Sequence, residues 1–121
     1  MKGYENATPL RIFHNGKVLN IKCHFAKTYF QRLFGLIVVP ELKFDEALLF
    51  CGSCQQMHSF FMGYSLDLVF LNNEHIIIAK QKLAPWRLSK VHFKAKSVVE
   101  FSEGYLEAKN ILVGDKIEVR E

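Results

Sequence analysis

Residues 51–71, CGSCQQMHSFFMGYSLDLVFL, place two cysteines, a histidine and an aspartate within one apolar stretch. A cysteine thiolate is a nucleophile and a redox group, an imidazole can take its proton, and a carboxylate can orient that imidazole. Cys54, His58 and Asp67 are therefore the candidate catalytic residues, with Cys54 as nucleophile and His58 as base. Because catalysis needs a geometry that spacing does not guarantee, the sequence leaves open whether the protein is an enzyme.

The spacing of Cys51 and Cys54 suits two further kinds of site. Cys-x-x-Cys is a redox spacing, but it depends on a helix N-terminus that activates the first thiol, and no strand-helix-strand pattern surrounds it here. A structural zinc ion needs four ligands, and the candidate ligands Cys51, Cys54 and His58 have no recognisable second pair. The alternative is that the cysteines are buried as small apolar side chains, and we favour this alternative for Cys51.

Asp67 lies between two leucines in an apolar run, so it shares a strand face with Val69 and Leu71. A bare carboxylate is costly in such a position unless hydrogen-bond donors satisfy it. Backbone N–H groups or the hydroxyl of Ser65 would give Asp67 a structural role. The imidazole of His58 would instead make Asp67 part of a site, and both alternatives stay open.

Residues 80–96 hold six lysines and arginines, and no carboxylate occurs between Glu74 and Glu100. Trp86 and Phe93 are interleaved with these cations. Cations contact phosphates and aromatic rings stack on bases, so the pattern suits a polyanion or a single-stranded nucleic acid. The alternative, which we favour, is that the lysines are solvated, Phe93 belongs to the core and Trp86 covers one end of the fold.

Short strands dominate the pattern of apolar residues that must position these side chains. Asn15-Gly16 predicts a hairpin, because both residues tolerate the positive φ of a type I′ turn. A short helix is predicted over residues 28–35 and a helical turn over residues 105–108. The predicted strands cover residues 10–13, 18–23, 47–50, 66–71, 76–80, 97–101 and 116–120. Because several strands are apolar on both faces, we predict a mainly β, antiparallel sandwich or barrel with one or two short helices.

Length and composition suit a single domain over residues 1–121. Half of the 121 residues are apolar and eleven are phenylalanine, unlike the composition of disordered chains. No window approaches the run of about 20 apolar residues that a membrane helix needs, and the first residues lack the apolar region of a secretory signal. We therefore expect a cytoplasmic protein with reduced thiols and no membrane partner. The formal charge of +4 argues for solubility and identifies no partner.

A succession of short motifs runs along the chain: Arg32-x-x-Gly35-Leu36, Cys54-x-x-x-His58-Ser59-Phe60-Phe61-Met62, Leu66-Asp67, Pro85-Trp86-Arg87, Val99-Glu100 and Gly114-Asp115. Over about residues 18–119 this succession resembles the bacterial and archaeal family called domain of unknown function 192. The His-Ser-Phe-Phe-Met and Pro-Trp-Arg segments are similar to the cytosolic branch of that family. The resemblance implies a compact β-rich fold of jelly-roll or barrel-like character, and it implies no activity.

These observations together predict a binding module for a small anionic ligand. The predicted site gathers His58, Asp67, Trp86 and Arg87, with Arg87 as the anchor, because small-molecule sites combine apolar walls with a few directed polar groups. One alternative is a thiol-dependent enzyme that uses Cys54 with His58. The other is polyanion or single-stranded nucleic-acid binding through the basic segment. The sequence identifies no cofactor and no oligomeric state.

Overall fold

Strands make up most of the part of the chain that the computed structural model describes, which is residues 10–25, 42–51 and 64–121. These strands are β1 (Arg11–His14), β2 (Lys17–Val18), β3 (Lys22–Phe25), β4 (Glu46–Cys51), β5 (Leu66–Leu71), β6 (Ile77–Leu83), β7 (Ser97–Ser102) and β8 (Ile117–Arg120). One short helix, α1 (Tyr105–Ala108), lies between β7 and β8. The helix predicted over residues 28–35 lies outside the described residues. Within the described ranges, no helix has the length and apolar character needed to cross a membrane.

The described strands pair into two sheets. One has five strands in the order β3-β4-β7-β5-β6, and the other has three in the order β2-β1-β8. Neighbouring strands are antiparallel except β3 and β4, which are parallel. At the centre of the larger sheet, Val99 of β7 lies opposite Leu49 of β4 and Val69 of β5. The mainly β, sandwich-like prediction is confirmed, and the strands in the described ranges form two separate sheets rather than a closed barrel.

The hairpin of β1 and β2 follows from its turn residues. Asn15 and Gly16 have φ angles of 50° and 87°, the left-handed region in which glycine and asparagine are the best tolerated residues. The hairpin prediction is confirmed, although its second strand holds only Lys17–Val18. Residues 22–25 belong instead to the larger sheet, where they run parallel to β4.

The sequence of β5 is apolar on both faces because both faces of the larger sheet are covered. Leu66, Leu68 and Phe70 pack into one buried cluster, and Val69 and Leu71 pack into another on the opposite face. All six residues of the strand are buried. Burial of each large apolar side chain contributes about 1.5–3 kcal/mol, so the strand that carries Asp67 is firmly held.

The smaller sheet and α1 cover the face of the larger sheet to which Asp67 belongs. Ile12 of β1 and Ile117 of β8 are fully buried in the same cluster as Val99. The ring of Tyr105, at the start of α1, stacks on that of Phe101 with the centroids 5.0 Å apart. These contacts place the start of α1 beside the end of β7.

A polar network ties the first hairpin to the turn that precedes β8. His14 Nε2 lies 2.7 Å from Asp115 Oδ2, and the nitrogen must donate because a carboxylate only accepts. The same oxygen accepts the N–H of Leu112 at 2.9 Å, and Asn15 Oδ1 accepts the N–H of Lys116 at 2.8 Å. The hydrogen bond from His14, followed by the one from Leu112, lowers the pKa of the Asp115 carboxyl.

Candidate ligand-binding site

Asp67 is the second residue of β5 and faces the cluster that contains Val69. It lies opposite Lys82 of β6 and Phe101 of β7, near the end of the larger sheet from which α1 follows. Asp67 is only 7% exposed, so its carboxylate has lost most of its contact with water. Such a group needs donors from the protein.

Two backbone N–H groups satisfy one oxygen of Asp67. Gly104 and Leu106 donate to Oδ2 at 3.1 and 3.3 Å. Gly104 is the N-cap of α1, with a φ of 88°, and provides no side-chain cap. The carboxylate of Asp67 therefore caps this helix from a strand that is distant in sequence. Backbone N–H groups therefore satisfy one oxygen of Asp67, and the alternative contact with His58 lies outside the described residues.

Burial raises the pKa of the Asp67 carboxyl, because desolvation disfavours the charged form. The hydrogen bonds from Leu106 and Gly104 and the positive charge of Lys82 act in the opposite direction. Desolvation is the larger effect, so Asp67 is protonated more readily than an ordinary aspartate. A titratable group that is perturbed in this way and lines a concave surface is a candidate functional residue.

Asp67 lines a depression of about 200 Å³ between β6 and α1. The other lining residues are Lys80, Gln81, Lys82, Leu106 and Glu107. Both hydrogen bonds to the carboxylate end on Oδ2, and no residue in the described ranges donates to Oδ1. Oδ1 is therefore the candidate acceptor for a ligand donor at Asp67.

Two lysines supply positive charge to the depression. Lys80 Nζ donates to the carbonyl oxygen of Ile111 at 2.9 Å. Lys82 Nζ lies 2.9 Å from Glu103 Oε2, and the hydrogen bond between them raises the pKa of Lys82. An ammonium group has three donors, so each lysine can still bind an anionic group of a ligand.

Trp86 and Arg87 lie just beyond β6, at the same end of the sheet as Asp67, because Asp67 lies opposite Lys82 near the end of that strand. Trp86 is 55% exposed, and Arg87 Nη1 donates to the carbonyl oxygen of Trp86 at 3.3 Å. Neither residue belongs to the described lining of the Asp67 depression. A common site that includes Asp67, Trp86 and Arg87 stays a prediction.

The cysteine and histidine candidates lie mostly outside the described ranges. Cys54, His58 and Met62 are among the residues that are not described, and Cys51 is the last residue of β4. The thiol-enzyme and zinc alternatives therefore stay predictions. Among the side chains of residues 10–24, 42–50 and 64–121, no three of His, Cys, Asp or Glu form a group that could hold a metal ion. Cys23, the third cysteine of the chain, is 0% exposed in the apolar core.

Glu100 is a candidate functional residue that the sequence reasoning missed. It is 0% exposed at the centre of β7, between Leu48 of β4 and Leu68 of β5. Its register places it on the sheet face opposite to that of Asp67. The signal was present in the sequence, because Glu100 interrupts an apolar strand just as Asp67 does.

Two solved structures share this fold. A protein from Sinorhizobium meliloti, described as a candidate transcription regulator, matches with a TM-score of 0.78 over 98% of this chain and 97% of its own, at 19% identity. A protein of unknown function from Novosphingobium aromaticivorans matches with a TM-score of 0.73 over 91% of this chain and 83% of its own, at 18% identity. At these identities the likeness shows the fold alone.

Sequence relatives and a family model identify the family. A UPF0127 protein of Thermococcus sibiricus is 30% identical over 106 residues, which cover 85% of this chain and 69% of the relative. A UPF0127 protein of Pyrococcus furiosus is 31% identical over 108 residues, which cover 85% of this chain and 90% of the relative. The model of domain of unknown function 192, described as "Uncharacterized ACR", matches residues 10–119. The chain therefore belongs to the domain of unknown function 192 family.

Proposed function

We propose that the protein is a binding module for a small ligand with an anionic group, which is held in the depression beside Asp67. The observation that carries the proposal is that the two oxygens of the Asp67 carboxylate differ in their hydrogen bonding. Asp67 Oδ2 is occupied by the N–H groups of Gly104 and Leu106, whereas Oδ1 accepts no hydrogen bond from any described residue. A carboxylate fixed by the backbone on one side is pre-organised to accept a ligand donor on the other.

The size and charge of the depression restrict the ligand. A volume of about 200 Å³ is below the roughly 300–1,000 Å³ typical of sites for drug-sized molecules, so the ligand has few heavy atoms. Lys80 and Lys82 suit an anionic group, and Asp67 suits an ammonium or hydroxyl donor. Small amino acids and hydroxy acids combine these two features. Arg87, predicted as the anchor, would add a third cation at the same end of the sheet.

The test is a thermal-shift screen with a panel of small amino acids and hydroxy acids. A ligand at 100 times its Kd stabilises the folded state by about 2.7 kcal/mol, which raises the Tm by several degrees. Asp67→Asn should abolish the shift, because an asparagine oxygen can still accept the two backbone N–H groups while its amide replaces Oδ1 by a donor. Arg87→Ala tests the predicted anchor separately, and Glu74→Gln, an exposed carboxylate elsewhere, is the matched control.

Backbone amide chemical shifts provide a second readout. A ligand bound to Oδ1 should perturb the amide signals of Gly104 and Leu106, which share the carboxylate with it. The proposal is rejected if no member of the panel raises the Tm, or if the rise is equally large in the Asp67→Asn variant.

A further inference from the structure

The loop that joins β6 to β7, residues 84–96, forms a second surface with a chemistry of its own. We call it the basic loop. It carries four exposed cations and contains no carboxylate; the cations are Arg87, Lys90, Lys94 and Lys96. The whole chain has a formal charge of +4, which equals the charge of these four cations, so the rest of the chain is formally neutral. Its neighbourhood is therefore attractive to a polyanion.

Apolar and aromatic side chains stand out from the same loop. Trp86 is 55% exposed, Leu88 55%, Val91 45% and Phe93 78%. The expectation that Phe93 belongs to the core is wrong, because most of its ring surface meets solvent. An exposed aromatic ring does not gain the stabilisation that burial would provide. Exposed apolar side chains grouped beside cations are typical of a binding surface.

Inward-pointing residues hold the basic loop against the larger sheet. Ser89 and Ala95 are 3% and 1% exposed, and the ring of His92 packs on that of Phe70 with centroids 4.3 Å apart. The intervening residues point outward. Every third residue of this stretch thus points inward, with Ser89 and Ala95 buried and His92 partly buried, and the outward side chains extend from a supported backbone.

Hydrogen bonds to the sheet reinforce this support. The N–H of Lys90 donates to Gln81 Oε1 at 3.1 Å, and the N–H of Lys96 donates to the carbonyl oxygen of Leu71 at 2.7 Å. Trp86 itself has a φ of 60°, a left-handed conformation that is unfavourable for a bulky side chain. Strain of this kind persists where the surrounding structure imposes it, and it is frequent at ligand contacts. A supported loop loses less conformational entropy when a partner binds.

We propose that the basic loop binds single-stranded nucleic acid, with its lysines and Arg87 on the phosphates and the rings of Trp86 and Phe93 stacked on bases. The combination of cations and exposed rings selects this partner among polyanions. An acidic peptide or a polyphosphate would use the cations and leave the rings without partners. A duplex would present phosphates and keep its bases paired, so that the rings could not stack on them. This proposal does not require a ligand at Asp67, although both proposals use Arg87.

The experiment uses the fact that Trp86 is the single tryptophan of the chain. Titration of the protein with a dT oligonucleotide of about 12 nucleotides at low salt should quench the fluorescence of Trp86, because stacking on a base quenches an indole. The logarithm of the affinity should fall linearly with the logarithm of the salt concentration, with a slope of up to about −2.8 if all four cations contact phosphates.

Matched variants separate the charges from the rings. Lys94→Gln should reduce the salt slope by about 0.7, whereas Lys17→Gln, an exposed lysine on the first hairpin, should leave it unchanged. Phe93→Leu should weaken binding roughly five- to 100-fold at the same salt slope. Phe44→Leu, which alters a 50% exposed ring outside the loop, is its control. Asp67→Asn should bind the oligonucleotide as the wild type does.

Several outcomes would overturn the proposal. It fails if the oligonucleotide neither binds nor quenches Trp86 at low salt. It also fails if a duplex of the same length, polyphosphate or polyglutamate binds as tightly as the single strand, since the rings would then contribute nothing. Equal affinities of the Phe93→Leu and Phe44→Leu variants would likewise show that the ring of Phe93 does not contribute to binding.

Discussion

At the scale of single residues, Asp67 combines a structural and a proposed ligand-binding role in one side chain. Its Oδ2 caps α1 through Gly104 and Leu106, and the residue also lines a depression in which Oδ1 is the proposed ligand acceptor. The two roles depend on different atoms, so substitutions can separate them. Glu100 is a second buried acidic residue, on the opposite face of the sheet, where it is 0% exposed among leucines.

Two substitutions of Asp67 should separate the contribution of its hydrogen bonds to stability from the contribution of its charge. Asp67→Ala leaves the buried N–H of Leu106 and the partly buried N–H of Gly104 without their acceptor and should reduce the free energy of unfolding by about 1–3 kcal/mol. Asp67→Asn keeps an acceptor in place and should cost less. Urea unfolding of both variants measures the difference, and a loss in Asp67→Asn equal to that in Asp67→Ala would contradict the capping role.

The contribution of Asp67 to stability should change with pH in one direction. Burial raises its pKa in the folded state above the unfolded value of about 3.9, so protonation favours the fold. This contribution is complete below the unfolded pKa and is lost as the pH rises through the folded pKa. Relative to Asp67→Asn, the wild type should therefore become less stable as the pH rises through the acid range. Urea unfolding at several pH values tests this, and a constant difference would contradict the raised pKa.

At the scale of elements, the turn before β8 is tied to the first hairpin by the contact between His14 and Asp115. Because the β1 and β8 strands pair along their length, the contact closes one end of the smaller sheet. The supporting hydrogen bond between Asn15 and Lys116 joins the same two turns. Acid should loosen this end of the sheet first.

The effect of pH on stability through Asp115 is opposite in direction to the effect through Asp67. The hydrogen bond from His14 lowers the pKa of Asp115 in the folded state, so its ionised form stabilises the fold. The contribution is complete above the unfolded pKa of about 3.9 and is lost as the pH falls through the folded pKa. Between about pH 6 and about pH 2.5 the wild type should lose more stability than Asp115→Asn. Urea unfolding at both pH values measures this, with Glu74→Gln as the control; equal losses in wild type and Asp115→Asn would exclude the contact as an acid-sensitive element.

At the scale of the whole molecule, the two sheets are joined mainly by one apolar cluster. Ile12 and Ile117 from the smaller sheet pack in the same cluster as Val69 and Val99 from the larger one. The cluster also holds Leu106, whose N–H contacts Asp67. Stability of the core and geometry of the proposed site are therefore coupled.

Ile117→Ala should lower the free energy of unfolding by about 2–5 kcal/mol, because it opens a cavity at a fully buried position that joins the sheets. Leu112→Ala, at a residue that is 50% exposed, should change it by less than about 0.5 kcal/mol. Far-UV circular dichroism in urea is the suitable probe, because Trp86 is already largely exposed in the folded state. A small effect of Ile117→Ala would mean that the smaller sheet adds little to the stability of the larger one.

Features that depend on a few neighbouring residues could be predicted from the amino-acid sequence. Asn15-Gly16 predicted the first hairpin, the apolar run of β5 predicted a strand covered on both faces, and the helical turn at α1 was located correctly. Turn conformation and strand alternation are local properties, since they are set by φ preferences and by the two-residue period of a strand. The family resemblance was also visible in short motifs.

The packing of the folded chain was needed to identify the donors to Asp67 Oδ2 and the exposed aromatic side chains. The N–H groups of Gly104 and Leu106 are remote in sequence from Asp67 and reach it because β5 pairs with β7, which leads into α1. The apolar side chain of Phe93 suggested a core residue. In the folded loop, however, the side chains that point inward are those of Ser89, His92 and Ala95. The pairing of strands and the competition for buried space involve residues far apart in the chain, so local pattern does not resolve them.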